Sequence, residues 1–196
     1  MDLKVFSPNI AALYYVDIFR LSLIQAGLIA SLFGLMSIFA RTLGGVFSDK
    51  VAFTGGLKAR VLFLAATLFF EGLVLMIFAK TTILSLAILT MMIFSLFVHM
   101  AEGATFAVVP FIHKRALGAV AGIVGAGGNA GAVLSGLLFR TENLSYAGAL
   151  FILGMIVVFC ATLAFFVRFS REVEDETKIA LAAAQARRLT LEEALP

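Results

Sequence analysis

The chain has 196 residues, 62% hydrophobic and 14% charged, with a mean hydropathy of +1.07 and a formal charge of +3. Soluble domains run about 45–50% apolar and about 25% charged, so this composition excludes an ordinary water-soluble domain and makes the lipid bilayer the expected solvent. The lone cysteine, Cys160, lies in an apolar run and excludes a disulfide framework or cysteine metal site, and the small net charge gives no footprint for nucleic acid.

Along the chain, the opening Met1–Asn9 does not read as a cleavable signal peptide, because Asp17 interrupts the apolar residues that follow. The stretch Phe6–Phe19 is apolar but short, and is expected to be the remaining part of a span. A spanning helix needs about 20 mostly apolar residues. Five segments meet this: Gln25–Phe47, Arg60–Ala79, Ile83–Phe111, Leu117–Phe139 and Ser145–Phe169. They are separated at Ser48-Asp49-Lys50 through Lys58, at Lys80-Thr81-Thr82, at His113-Lys114-Arg115 and at Arg140-Thr141-Glu142-Asn143.

Short loops on one side hold Lys50, Lys58, Arg60, Lys114, Arg115, Arg168 and Arg171, against Arg20, Lys80 and Arg140 on the other. The richer side is expected to be cytoplasmic. Residues 172–196 then form a cytoplasmic tail with no evident chemistry. Asn143-Leu144-Ser145 matches a glycosylation acceptor, but in so short a loop an unmodified turn is the expectation.

Within the first full span, Arg41 stands where a charge costs at least about 2.5 kcal/mol. It either serves a site or snorkels toward the interface near Asp49. At 100° per residue, Gly27, Ala30, Gly34, Ser37, Arg41, Gly45 and Ser48 share one stripe, opposite Leu28, Leu32, Leu35, Met36, Phe39 and Leu43. Arg41 is therefore expected to face other helices or a cavity. Its planar, permanently charged fork suits a planar oxyanion better than a lysine would.

The fourth span carries seven glycines, including Gly127 and Gly128 beside Asn129. Each glycine costs about 1 kcal/mol of helix propensity against alanine, which calls for a reason. Close helix packing through Gly118-x-x-x-Gly122 and Gly127-x-x-x-Gly131 is the expected one. Asn129 at mid-membrane needs partners and can donate to an anion. Glu71 and Glu102 also lie inside spans, each a candidate proton carrier, a hydrogen-bonded structural carboxylate or the partner of a cation on a missing half. Glu102, one turn after His99, is the stronger candidate. His99 has no metal-ligand company, and no nucleophile triad, phosphate loop or CxxC motif supports an enzyme.

Gly45-Val46-Phe47-Ser48-Asp49-Lys50 resembles the loop motif of the major facilitator superfamily, which would make Gly45, Asp49 and Lys50 part of a conformational gate. The further basic part of that motif has only a loose echo in residues 55–60. The run from Ala121 to Val133 resembles the second nitrate signature of the nitrate/nitrite porter family. Phe39-Ala40-Arg41 with Gly44-Gly45 resembles that family's eighth helix, and Ala101-Glu102-Gly103-Ala104-Thr105-Phe106 its tenth.

The resemblance, covering about residues 9–171 and nearest to the plant, algal and cyanobacterial members, implies an all-α, multi-pass transmembrane bundle. That bundle would be the C-terminal six-helix half of a major facilitator fold with its first helix incomplete. Residues 1–20 would be a remnant of the seventh helix with an external loop, and residues 21–171 five transmembrane helices. The implied function is secondary active transport of nitrate, with nitrite the other substrate, by alternating access. Arg41, Asn129, Gly127 and Gly128 would bind substrate and Glu102 would be the proton or structural carboxylate.

The implied partners are nitrate or nitrite, the bilayer, the missing N-terminal half with its own facing arginine, and an accessory membrane protein. No cofactor, metal or nucleic acid is expected. The expected location is the plasma membrane. The alternatives are a facilitator for another anion or small solute, and a truncated membrane protein that does not transport.

Overall fold

The structure, a computed structural model, describes residues 10–141, 144–179 and 182–183. The Asn143 acceptor and the ends of the chain lie outside the described residues. Apart from short connections such as 20–22, 81–83 and 167–170, those described are helical, with no strand among them. The helices are α1 (Ile10–Phe19), α2 (Leu23–Lys80), α3 (Leu84–Ile112), α4 (Leu117–Phe139) and α5 (Tyr146–Leu163). Short 3-10 turns, Lys114–Ala116 and Ala164–Phe166, follow α3 and α5, and residues 171–179 are helical again.

A straight helix of 58 residues would reach about 87 Å, almost three times the hydrocarbon thickness of a bilayer. Gly56, with φ 66° and ψ −154°, folds α2 back on itself. Only glycine takes that backbone readily. Residues 23–55 and 57–80 thus form two arms, and Phe47 meets Phe63 across the fold with ring centroids 6.4 Å apart. Helix therefore continues through the polar stretch expected to separate two spans, because charged residues end an apolar span without ending a helix. At the start of the first arm, the Ser22 hydroxyl accepts from the Gln25 N–H while the Gln25 side chain returns a bond to the Ser22 N–H.

Helix α1 is only 10 residues long and is held by two buried tyrosines. The Tyr15 hydroxyl donates to the Ala87 carbonyl at 3.1 Å and the Tyr14 hydroxyl to the Phe78 carbonyl at 3.5 Å. The rings rest on Leu75, Phe78 and Met91, so each buried hydroxyl has a partner beside an apolar core. Arg20, at φ 56°, ends this helix in a left-handed turn.

Close helix contacts form at isolated glycines. A methyl on Gly44 would fall on the backbone of Met100, and one on Gly103 on the carbonyl oxygen of Arg41, so the first arm and α3 touch backbone to backbone. The second arm and α5 do the same at Gly72 and Gly154, where an added methyl would lie 2.6 Å from the Gly154 oxygen.

The glycines of α4 behave otherwise, which corrects the packing expectation. Methyls added to Gly118, Gly122, Gly125, Gly127, Gly128, Gly131 or Gly136 would meet nothing within 4 Å among the described residues. Phe139 alone is buried along α4, which lies at the edge of the bundle. Small residues permit close approach without requiring it, and no described helix comes close to these glycines.

Candidate functional site

The first arm of α2 buries Ala26, Ala30, Ala40, Gly44 and Ser48 along one line. Leu28, Leu35, Phe39 and Leu43 are exposed on the other side. Arg41 is one residue beyond the buried Ala40, so its side chain emerges beside the contact with α3 and not within it. It opens into a cavity of about 600 Å³ between the two arms of α2, α3 and α4.

Helix α3 presents Val98, Ala101, Glu102, Thr105 and Phe106 to this cavity, at the i, i+3, i+4, i+7, i+8 spacing of one helical face. The second arm contributes Leu68 and Glu71, and α4 contributes Gly125, Gly128 and Asn129 among others. Of the residues singled out in the sequence, Arg41, Glu102, Gly128 and Asn129 therefore share one space. Gly127 does not line it, since it follows Gly125 and precedes Gly128 on a different face of α4.

The Arg41 Nε lies 3.8 Å from the Glu102 Oε2, and the guanidinium sits 5.2 Å from the centroid of the Phe106 ring. The side chains are 53% and 43% exposed. Ion pairs this open contribute about 0–1 kcal/mol. So weak a contact does not commit the donors of the guanidinium to Glu102. The guanidinium is directed to Glu102 and Phe106, whereas the Asp49 carboxylate is taken by another residue.

Glu102 has a second neighbour, His99, whose Nδ1 lies 3.2 Å from the same Oε2. His99 is buried, with Nε2 3.3 Å from the Phe33 carbonyl on the first arm. Among the described residues no group of three or more His, Cys, Asp or Glu side chains could hold a metal ion.

A second polar cluster lies at the folded end of α2. Arg60 is 6% exposed, and its Nη1 pairs with Asp49 at 2.6 Å and reaches the Ser48 hydroxyl at 3.5 Å. Its guanidinium stacks 5.0 Å from the Phe111 centroid at the end of α3. Gly45 is half-buried, with its nitrogen next to Gly103, and Lys50 lies over the Phe47 ring at 5.6 Å. The sequence does not single out Arg60, because its partner is 11 positions away and meets it only through the turn at Gly56. The sequence places Glu71 inside a span without joining it to Arg41, since periodicity does not say which arm faces which.

With this geometry in place, comparison with known proteins is informative. The family model described as Major Facilitator Superfamily matches residues 1–195. High affinity nitrate transporter 2.5 of Arabidopsis thaliana is 39% identical over 154 residues, 78% of this chain and 31% of that protein. Nitrate transporter 2.2 of Chlamydomonas reinhardtii is 41% identical over 128 residues, 65% of this chain and 25% of that protein. Nitrate/nitrite transporter NrtP of Picosynechococcus sp. is 35% identical over 188 residues, 85% of this chain and 34% of that protein. The chain thus spans a quarter to a third of the length of these curated relatives. No solved structure matches it significantly. Four described helices are long and apolar enough to cross a membrane, and α2 is folded into two such arms. A family match over nearly every residue, on an all-helical bundle of this kind, means that the chain belongs to the major facilitator superfamily.

Proposed function

We propose that this chain is the part of a nitrate transporter that supplies one arginine of the anion site, with nitrite as the second substrate. The observation that carries the reading is the position of Arg41. It is a permanently charged, planar fork that opens into a cavity of about 600 Å³ also lined by Asn129 and Gly128. Nitrate is a planar oxyanion whose oxygens match that fork, and the Asn129 amide can donate to a further oxygen. Gly128 leaves room for the ligand to approach the α4 backbone. The similarity to proteins named as nitrate transporters supports the same substrate.

In the working transporter the remaining part of the protein closes the site along α4, where a methyl added to any of the seven glycines would meet no described residue within 4 Å. The substrate then lies at the interface of two bodies that rock around it. The Asp49–Arg60–Phe111 cluster ties both arms of α2 to α3 at one end and braces one of the two states, with Gly45 and Lys50 in the same segment. That end faces the cytoplasm, and so does the tail, in a plasma membrane where an accessory membrane protein can attend the transporter. Bringing an anion into an inside-negative cell costs about 2.3 kcal/mol per 100 mV, so uptake is coupled to a second gradient.

The test is Arg41→Lys in the full-length transporter. Lysine keeps the charge but loses the fork, and the nitrate KM is expected to rise about tenfold or more, the loss of one bidentate contact. An unchanged KM refutes the role of Arg41. Competition by nitrate, nitrite and chlorate against unrelated solutes separates this reading from a facilitator of another substrate.

A further inference from the structure

The second arm of α2 and α5 run antiparallel and touch backbone to backbone at Gly72 and Gly154, close to the middle of each span. Lys58 lies 14 residues before Gly72, and Arg168 lies 14 residues after Gly154. At about 1.5 Å per residue the two cations stand level with each other, roughly 20 Å from the crossing. Half the hydrocarbon thickness is about 15 Å, and half the whole bilayer about 20–22 Å. Both side chains therefore stand in the layer of lipid headgroups.

At this level the two elements part. Lys58, Val61 and Leu62 of the second arm, at the i, i+3, i+4 spacing of one face, stand opposite Phe165, Val167 and Arg168 at the end of α5, around a cleft of about 250 Å³. Leu62, Phe165 and Val167 are exposed at its rim, and exposed apolar side chains continue along both helices toward the crossing, at Phe69 and at Phe159 and Leu163. No residue of the first arm, α3 or α4 lines the cleft, so it is separate from the cavity at Arg41.

Three other cations at this end are committed: Arg60 to Asp49, Lys178 to Asp175, and Lys50 to the Phe47 ring. Among the described residues the side chains of Lys58 and Arg168 have no ion pair, hydrogen bond or ring contact. We propose that these two cations hold the phosphate of one anionic phospholipid, whose headgroup fills the cleft and whose acyl chains follow the exposed apolar side chains of the second arm and α5. Charge favours this occupant, because two unneutralised cations share a cleft with no carboxylate in its wall. A zwitterionic lipid would bring its own ammonium to a wall that offers it no acceptor side chain. A soluble anion would meet the two charges but leave the apolar rim uncovered. The cleft is also smaller than the about 300–1,000 Å³ of pockets for drug-sized ligands, which suits a phosphate on a small alcohol. The inference does not depend on the anion site at Arg41.

The chain contains no tryptophan, so Phe165→Trp places a single fluorophore at the rim of the cleft. The full chain is reconstituted in phosphatidylcholine nanodiscs with a small fixed fraction of lipid brominated near the carbonyl end of its acyl chains. The brominated lipid is either phosphatidylglycerol or phosphatidylcholine. Bromine quenches tryptophan on contact, so the two quenching curves give the relative affinity of the cleft for each lipid. Phosphatidylglycerol is expected to be preferred roughly thirtyfold, the combined effect of two cations at the membrane surface. Lys58→Gln with Arg168→Gln should abolish the preference. Arg115→Gln with Arg171→Gln removes as much charge from the same end without lining the cleft, and should leave most of it.

All four of these cations are exposed, so neither double replacement leaves a buried gap. Val167→Trp, also at the rim, serves as the reporter if Phe165→Trp does not fold. Equal quenching by the two brominated lipids overturns the inference, as does a preference that survives the loss of Lys58 and Arg168. A preference lost equally in the Arg115 and Arg171 pair is diffuse attraction of anionic lipid to a basic end, and overturns the site as well.

Discussion

Gly103 is where the fold and the proposed site meet, and replacing it with alanine tests both. A methyl there would fall on the Arg41 carbonyl oxygen and lie 3.0 Å from the Gly45 nitrogen. Comfortable heavy-atom contact begins at about 3.5 Å, so α3 and the first arm of α2 must part by about 0.5 Å at Gly45 and by more at the carbonyl. The obstructing atoms are backbone and cannot rotate away, which places the change toward the upper end of the ~1–3 kcal/mol range for overpacking. Alanine returns about 1 kcal/mol of helix propensity, leaving a net loss of about 1–2 kcal/mol. The same separation stretches the 3.8 Å Arg41–Glu102 contact beyond the about 4 Å reach of an ion pair.

Gly127→Ala is the counterpart. It meets nothing within 4 Å and does not line the cavity, so it gains helix propensity of up to about 1 kcal/mol. Thermal unfolding of the chain in one detergent, followed by circular dichroism, should shift by about 2–4 °C per kcal/mol, downward for Gly103→Ala and upward for Gly127→Ala. Shifts of the same sign, or an unmoved Gly103→Ala, would refute the backbone contact and the claim that it positions Arg41.

Other outcomes follow from the same geometry. Asp49→Asn leaves the buried Arg60 guanidinium without its 2.6 Å carboxylate, and the chain should lose about 1–3 kcal/mol in the same unfolding assay. A variant as stable as wild type would show that the cluster does not tie the arms together. Cys160 is exposed on α5, within a segment of 21 residues with a hydropathy of 2.7. In liposomes it should react with an apolar maleimide and be protected from a charged, membrane-impermeant one. Rapid labelling by the charged reagent would place α5 outside the bilayer.

Much of this protein is written in local pattern. The apolar runs separated by Lys80-Thr81-Thr82 and by Arg140-Thr141 are one-dimensional signals, because a bilayer demands about 20 apolar residues and a polar break whatever the neighbours do. The small stripe through Ala30, Ser37 and Arg41 is equally local, since 3.6 residues per turn decides which side chains share a face. Helix periodicity stops there, however, because lipid and protein interior are both apolar and a stripe does not name its partner.

Tertiary structure decided that the conspicuous glycines of α4 lie open while the isolated Gly44, Gly72, Gly103 and Gly154 carry the close contacts. It also joined Asp49 to Arg60 across the turn at Gly56, and brought Glu71, Glu102 and Asn129 around Arg41 from three other stretches of chain. These are distances between helices, set by how the arms of α2 fold against α3, α4 and α5, and no single helix's sequence contains them.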